Sequence, residues 1–305
     1  MRFDSYHPAI NFLFFSVMLT CCFLFDHPAF LCIGWLCALI YSIALEGKRA
    51  ALADALLLLL TVAYALYYAC YNHFGVTDLR VNFIGNHITL ESVLFGAVRG
   101  AKLSTALMWM ICVHADISSD KVIYLLGRVS PKLSLFLSIL LRMAPRVRER
   151  GHKVEAARQS VGRGIRQGNL FRRIKSALQE LSIVITWTLE DFVGSSDSMR
   201  ARGYSLKGRT AFSIYRFDNR DRSFVVALFA LFTVLSMAVL LDQTRAVYAP
   251  VIQLNPVMPL SFFFYGAYAL AALLPLLLQL IGEARFRRLI SRMEESEQNS
   301  TNQGF

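Results

Sequence analysis

Long apolar runs alternate with short polar turns at about residues 9–25, 29–45, 51–71 and 90–113, and recur at about 223–241 and 260–281. Several approach the ~20 apolar residues with which a helix crosses a bilayer. No in–out alternation of the strand period accompanies them, so the pattern predicts helical spans and not a barrel. Between the fourth and fifth runs lies a polar and basic stretch, 114–222, about a third of the chain.

That stretch reads as three helices. One starts at Ser130-Pro131, a Ser cap with Pro in the first turn. It continues through KLSLFLSILLRMAPRVRERGHKVEAARQS, where Pro145 should kink or divide it. The helix is apolar before Pro145 and basic after it, as in a segment passing from a greasy environment into water. Another covers roughly 170–200 and would extend ~45 Å if continuous. It is polar at both ends and apolar between Leu181 and Val193. Gly194, Ser195 and Ser196 form a small-residue patch at which a second helix can pack closely. The expected fold is an all-α integral membrane protein, a bundle of about six transmembrane helices plus a module of long coupling helices. The expected divisions are 1–115 (spans 1–4), 116–222 (coupling module), 223–283 (spans 5 and 6) and 284–305, a basic then polar, unstructured tail.

The distribution of charge orients this arrangement. Of the 32 Lys and Arg residues, 21 fall in 114–222. The 46–50 turn carries two, Lys48 and Arg49, and the segment after 281 carries four. The turns at 26–28, 72–89 and 242–259 carry none, one and one. By the positive-inside rule this alternation puts both termini and the 114–222 module in the cytoplasm. The first run ends at Asp26-His27-Pro28 and not at a small-residue cleavage site, so it reads as an anchor that is retained. A net charge of +11 suits anionic lipid or an acidic partner. Nucleic acid is not expected, because Phe171, Trp187 and Phe192 stand in apolar surroundings and not among the charges.

Composition adds mainly exclusions. The mean hydropathy of +0.46 is that of a membrane protein. Six cysteines lie in or beside apolar runs without a CxxC pair, and six histidines are scattered at loops and span ends. No metal site, paired carboxylates within a span, nucleophile–His arrangement or P-loop is recognisable, which argues against an enzyme and against a resident cofactor. If ATP drives this protein, hydrolysis belongs to another chain. Arg99 and Lys102 lie inside the fourth run, where charge normally faces protein and not lipid. Contact with a partner subunit, or with a carboxylate such as Glu91, is the expected reason.

Two places end the predicted helices of 114–222 with an Arg between small residues. The first is Gly162-Arg163-Gly164 and the second Ala201-Arg202-Gly203, within DSMRARGY. Both describe ordinary helix C-caps, with Gly past the end and a cation at the negative pole of the dipole. They also describe a docking device. Small neighbours leave the guanidinium free to enter a cleft and bind a carboxylate with both prongs, which Lys cannot do.

The stretches ILLRMAPRVRERGHKVEAARQSVGRG, GNLFRRIKSAL and DSMRARGY resemble the transmembrane T component of energy-coupling-factor (ECF) transporters, prokaryotic ABC-type importers of vitamins and metal ions. The resemblance extends over most of the chain, and the second motif is the more specific. It implies a multi-pass protein of the cytoplasmic membrane in which Arg163 and Arg202, flanked by Gly162, Gly164, Ala201 and Gly203, each dock in a groove of one of two ATPase subunits. It also implies a small substrate-binding (S) membrane subunit as a further partner, with ATP bound by the partners alone. The family's first motif is usually Ala-Arg-Gly or Ala-Arg-Ser. Here Ala-Arg occurs at Ala157-Arg158, so Arg158 is an alternative first docking residue. A conventional ABC permease is a rival, since Glu155-Ala156-Ala157 begins its loop signature, but Gly162 then comes one residue late and no Leu-Pro follows. A membrane scaffold without a transport role is the other alternative.

Overall fold

In the computed structural model the described residues are 6–72, 75, 77–81, 87–162, 164, 170–204, 206, 215, 217–248 and 252–302. Helices α1 (Pro8–Leu24), α2 (Pro28–Glu46), α3 (Lys48–Tyr71) and α4 (Leu90–Asp116) are followed by α5 (Ser119–Val129), α6 (Pro131–Ser160) and α7 (Leu170–Ala201). The chain then continues through α8 (Asn219–Leu240) and α9 (Pro259–Asn302). Two small antiparallel ladders interrupt the helices, β1 (Asp78–Val81) with β2 (His87–Thr89) and β3 (Ala246–Val247) with β4 (Gln253–Leu254). The fold is that of an all-α membrane protein. Two compact units divide it, one of residues 1–118 with 215–305 and one of residues 119–214.

The first unit is built on aromatic packing. Phe14 of α1 meets Trp109 of α4 edge to face at 6.0 Å between centroids, and Phe25 meets Tyr268 of α9 at 5.2 Å. Tyr41, Trp109, Phe14 and Tyr268 are essentially fully buried. Helices α2, α3, α8 and the first 35 residues of α9 are long and apolar enough to cross a membrane. Of the other two expected runs, α1 has 17 residues and α4 carries Glu91, Arg99 and Lys102. Leu52, Leu56, Leu59 and Leu66 of α3 stand outward, as lipid-facing side chains do in a helix whose backbone bonds are satisfied internally.

Local chemistry explains where the spans start and how closely they pack. His7-Pro8 and His27-Pro28 open α1 and α2 in the same way. Each His Nδ1 accepts from the amide two residues on, at 3.2 Å from Ala9 and 3.3 Å from Ala29, and Pro occupies the first helical position. Between α3 and α4 the contact is made by glycine. A Cβ on Gly96 would lie 3.0 Å from the Ala65 carbonyl oxygen, and one on Gly100 would lie 3.0 Å from that of Thr61.

Lys102 does not use Glu91. Its ammonium is 2.5 Å from the Asp26 carboxylate in the α1–α2 connection and donates at 3.1 Å to the carbonyl of Phe23, in the last turn of α1. Glu91 accepts from the Thr77 hydroxyl at 2.7 Å. Arg99 lies over the Phe95 ring, 5.1 Å from its centroid. The carboxylate partner was invisible in the sequence because 76 residues separate it from the lysine.

Three local expectations differ from the structure. The chain beyond 284 continues as helix to Asn302, because a long span has already met the cost of nucleation and Arg, Glu, Gln and Met extend it readily. Pro145 does not divide its helix, since α6 runs unbroken from Pro131 to Ser160. Ser130 is at the N-cap, but its side chain makes no capping bond.

Candidate functional site

The second unit contains the residues singled out for docking. Its helices associate through chemically different seams. Helix α5 meets α6 near its start, where the Ser134 hydroxyl donates to the Ile123 carbonyl at 3.0 Å and Gly127 leaves room for it. Helices α6 and α7 pack with opposed chain directions. Arg150 donates to the Trp187 carbonyl at 3.0 Å and pairs with Asp191, while Arg158, further along α6, donates to Gln179 Oε1 at 3.0 Å, earlier along α7. Ser176, Glu180 and Val184 are the buried residues of α7, one helical face at a spacing of four. Met143 and Val154 are buried on α6.

This seam is polar at one end. Glu180 is 9% exposed, and its Oε2 has no hydrogen-bond partner; neither does the Nε of Arg158. Burial raises the Glu180 carboxyl above the ordinary glutamate value, and the nearby Glu155 adds to the rise. Arg158 and His152 oppose it. A carboxylate held here costs stability that a neutral side chain would not.

Both long helices end on a glycine in the left-handed region. At the end of α7, Gly203 has φ +77°, its amide donates to the Arg200 carbonyl at 3.0 Å, and the Tyr204 amide donates to the Met199 carbonyl at 3.1 Å. This pair of bonds is the Schellman arrangement, and it satisfies two carbonyls the helix would otherwise leave open. At the end of α6, Gly162 has φ +73° and its amide donates to the Gln159 carbonyl at 3.1 Å. Gly164 is buried against Gln159.

The caps place the two arginines differently. Arg202 is the residue just before its left-handed glycine, exposed, with exposed Ala201 behind it. The residue in the same place on α6 is Val161, also exposed, and Arg163 comes after the glycine. Arg163 itself lies outside the described residues. Arg158, the alternative, is half-buried and turned onto Gln179 of α7. The sequence therefore holds two similar tripeptides at two helix ends that each close on a left-handed glycine, offset by two positions relative to that glycine.

The Gly194-Ser195-Ser196 patch does not carry the α6–α7 contact. All three residues are exposed, and a Cβ on Gly194 would meet nothing within 4 Å. The buried face of α7 lies at Ser176, Glu180 and Val184 instead. Sequence reading also missed Arg150, Asp191 and Glu180. The available signal was Glu190-Asp191, two carboxylates next to an apolar stretch that need a partner. Among the described residues no group of three His, Cys, Asp or Glu side chains is arranged to hold a metal ion.

No protein-family model matches the chain. Over 108 residues it is 31% identical to the energy-coupling factor transporter transmembrane protein EcfT of Bacillus selenitireducens. That similarity covers 35% of this chain, which spans 40% of the relative's length. Over that part the chain is similar to EcfT, the same family that its motifs resemble.

Proposed function

We propose that this protein is the coupling (T) component of an ECF-type importer. In this reading two ATPase subunits dock on the ends of α6 and α7, and the helices pass ATP-driven motion to a membrane S subunit that carries a vitamin or a metal ion. Both termini and the 119–214 unit then face the cytoplasm of a prokaryotic cell, and the chain itself hydrolyses nothing. The observation that carries the reading is Arg202, exposed at the end of a 32-residue helix and held there by a Schellman cap. The EcfT relative supplies the family context. Each partner groove would offer a carboxylate to the arginine fork. Arg163 is the second docking residue, placed by its tripeptide.

Truncating one partner of such a desolvated charge pair costs about 2–5 kcal/mol. Arg202→Ala should therefore weaken ATPase association by one to several decades, and Arg202→Lys should restore only part of it, because the planar fork is lost. Affinity purification of the tagged full chain in mild detergent, followed by identification of P-loop subunits and their ATPase rate, measures this. Undiminished ATPase recovery with both variants would remove Arg202 from the docking role. A stable homodimer carrying no ATPase would favour a scaffold.

A further inference from the structure

We propose that α1, α2, α3 and α4 enclose a buried site for a hydrated alkali-metal cation near the α2–α3 turn, with Asp54 as its anionic ligand. The residues all belong to the first compact unit, so the inference stands apart from the coupling reading.

Unsatisfied polar atoms converge at this end of the bundle. Asp54 of α3 is 2% exposed, and both of its carboxylate oxygens are buried without a hydrogen-bond partner. The Ser42 hydroxyl of α2 faces that carboxylate without a completed hydrogen bond to it. In α4 the Trp109 Nε1 is also buried and unpartnered. The Trp109 ring lies 6.0 Å from that of Tyr41, whose hydroxyl donates to the Asp116 carboxylate at 2.6 Å. The buried Cys112 thiol, one turn from Asp116, is close enough to feel the charges of both Asp54 and Asp116. In α1 the side-chain nitrogen and oxygen of Asn11 are both buried and unpartnered. Helices α1 and α4 run antiparallel, with Cys22 against Lys102 and Phe15 against Trp109, so Asn11 stands level with the turn of α4 that follows Trp109.

Charge and hydrogen-bonding capacity decide what such a place holds. Donors (Asn11 Nδ2, Trp109 Nε1) and acceptors (Asn11 Oδ1, Ser42 Oγ) are left open together, and water, donor and acceptor at once, satisfies both kinds. Water does not neutralise Asp54, and a carboxylate taken out of bulk solvent is costly unless it is paired. Asp116 differs, since the Tyr41 hydroxyl already bonds to it. One free carboxylate among neutral oxygens balances a single positive charge. A divalent ion would keep an uncompensated charge there, and calcium draws about six to eight oxygens, several of them from carboxylates. Hard oxygen donors also select against soft metal ions. Asp54 is six residues into α3, about 9 Å along the helix from Lys48, which is a short distance for an ion entering from the α2–α3 turn.

The full chain, purified in detergent without alkali-metal salts, is melted in sodium, potassium or choline chloride at equal ionic strength. The expected result is a thermal midpoint that rises by a few degrees and saturates with sodium or potassium but not with choline, because an ion bound only by the folded protein stabilises it. Equilibrium dialysis with radioactive sodium or rubidium should then give a single ion per chain. Asp54→Asn, which keeps the shape and removes the charge, should abolish both the rise and the binding. Ser42→Ala should weaken the apparent affinity several-fold, which keeps the test decisive if Asp54→Asn does not fold. Glu46→Gln removes an exposed carboxylate at the same end of α2 and should change neither. Equal midpoints in all three salts, a rise that survives Asp54→Asn, or a loss in Glu46→Gln as large as in Asp54→Asn overturns the site. A midpoint that depends on pH but not on the cation supplied puts a proton on Asp54 and overturns it as well.

Discussion

The Lys102 ammonium, in the middle of α4, is bonded to the Asp26 carboxylate in the α1–α2 turn. The same turn is held from the other side, where the Asp26 and His27 amides donate to the Thr244 carbonyl, each at 2.9 Å, and the Tyr248 hydroxyl donates to the Asp26 carbonyl at 2.9 Å. The α1–α2 turn thus joins three segments far apart in the chain, to α4 through the Lys102 side chain and to 244–248 through its own backbone. Fully buried pairs lose about 3–5 kcal/mol when one member is removed, but Asp26 is 42% exposed, so a loss nearer 1–2 kcal/mol applies. Lys102→Met and Asp26→Asn should each lower the thermal midpoint in detergent, and the double variant should lose less than the two single losses together. Strict additivity would show that the two groups are not coupled.

The caps predict a position-specific glycine requirement. Gly203→Ala puts a side chain into a left-handed conformation, at a cost of about 1 kcal/mol, and brings its Cβ to 3.2 Å from Leu206 Cδ1. Gly203→Asn should be milder, because Asn tolerates that region. Relief of strain would rotate the Arg202 backbone, so ATPase recovery should fall more for Ala than for Asn. Gly194→Ala, in open space on the same helix, should leave recovery unchanged unless a partner covers that patch.

Close packing of α3 on α4 is testable in the same way. Added methyl groups at Gly96 and Gly100 would press on carbonyl oxygens of α3, which cannot rotate aside as a side chain can. Overpacking of this kind costs about 1–3 kcal/mol. Gly96→Ala and Gly100→Ala should each lower the thermal midpoint. The double variant should lose less than the sum, because one displacement of α3 relieves both clashes.

Glu180 predicts a pH dependence. Its carboxyl is raised in the folded protein, chiefly by burial, so folding favours the protonated form. The destabilising effect is full above the raised value and fades as pH falls through it toward the ordinary glutamate range. Glu180→Gln should therefore be more stable than the parent at neutral and alkaline pH, with the gap closing on acidification. Thermal melts followed by circular dichroism across that range measure it. A gap independent of pH would mean that the seam does not sense the charge.

Much of this protein was legible in its amino-acid order. Membrane residence, four helices long and apolar enough to span, and the two long helices α6 and α7 follow from runs of apolar residues and from helix-forming composition, which act over one or two turns of backbone. The glycine ends were legible for the same reason, since a left-handed cap is a local requirement that Gly meets most readily. Tertiary structure alone decided the rest. Lys102 takes Asp26 and not Glu91, the face of α7 that meets α6 is 176–180–184 and not the small-residue patch, and Arg150 finds Asp191. Each of these choices was made by which helix faces come within reach of one another, and for the two ion pairs the partner lies tens of residues away. Local sequence periodicity describes a helix's own faces, but the partner of each face depends on the path of the whole chain.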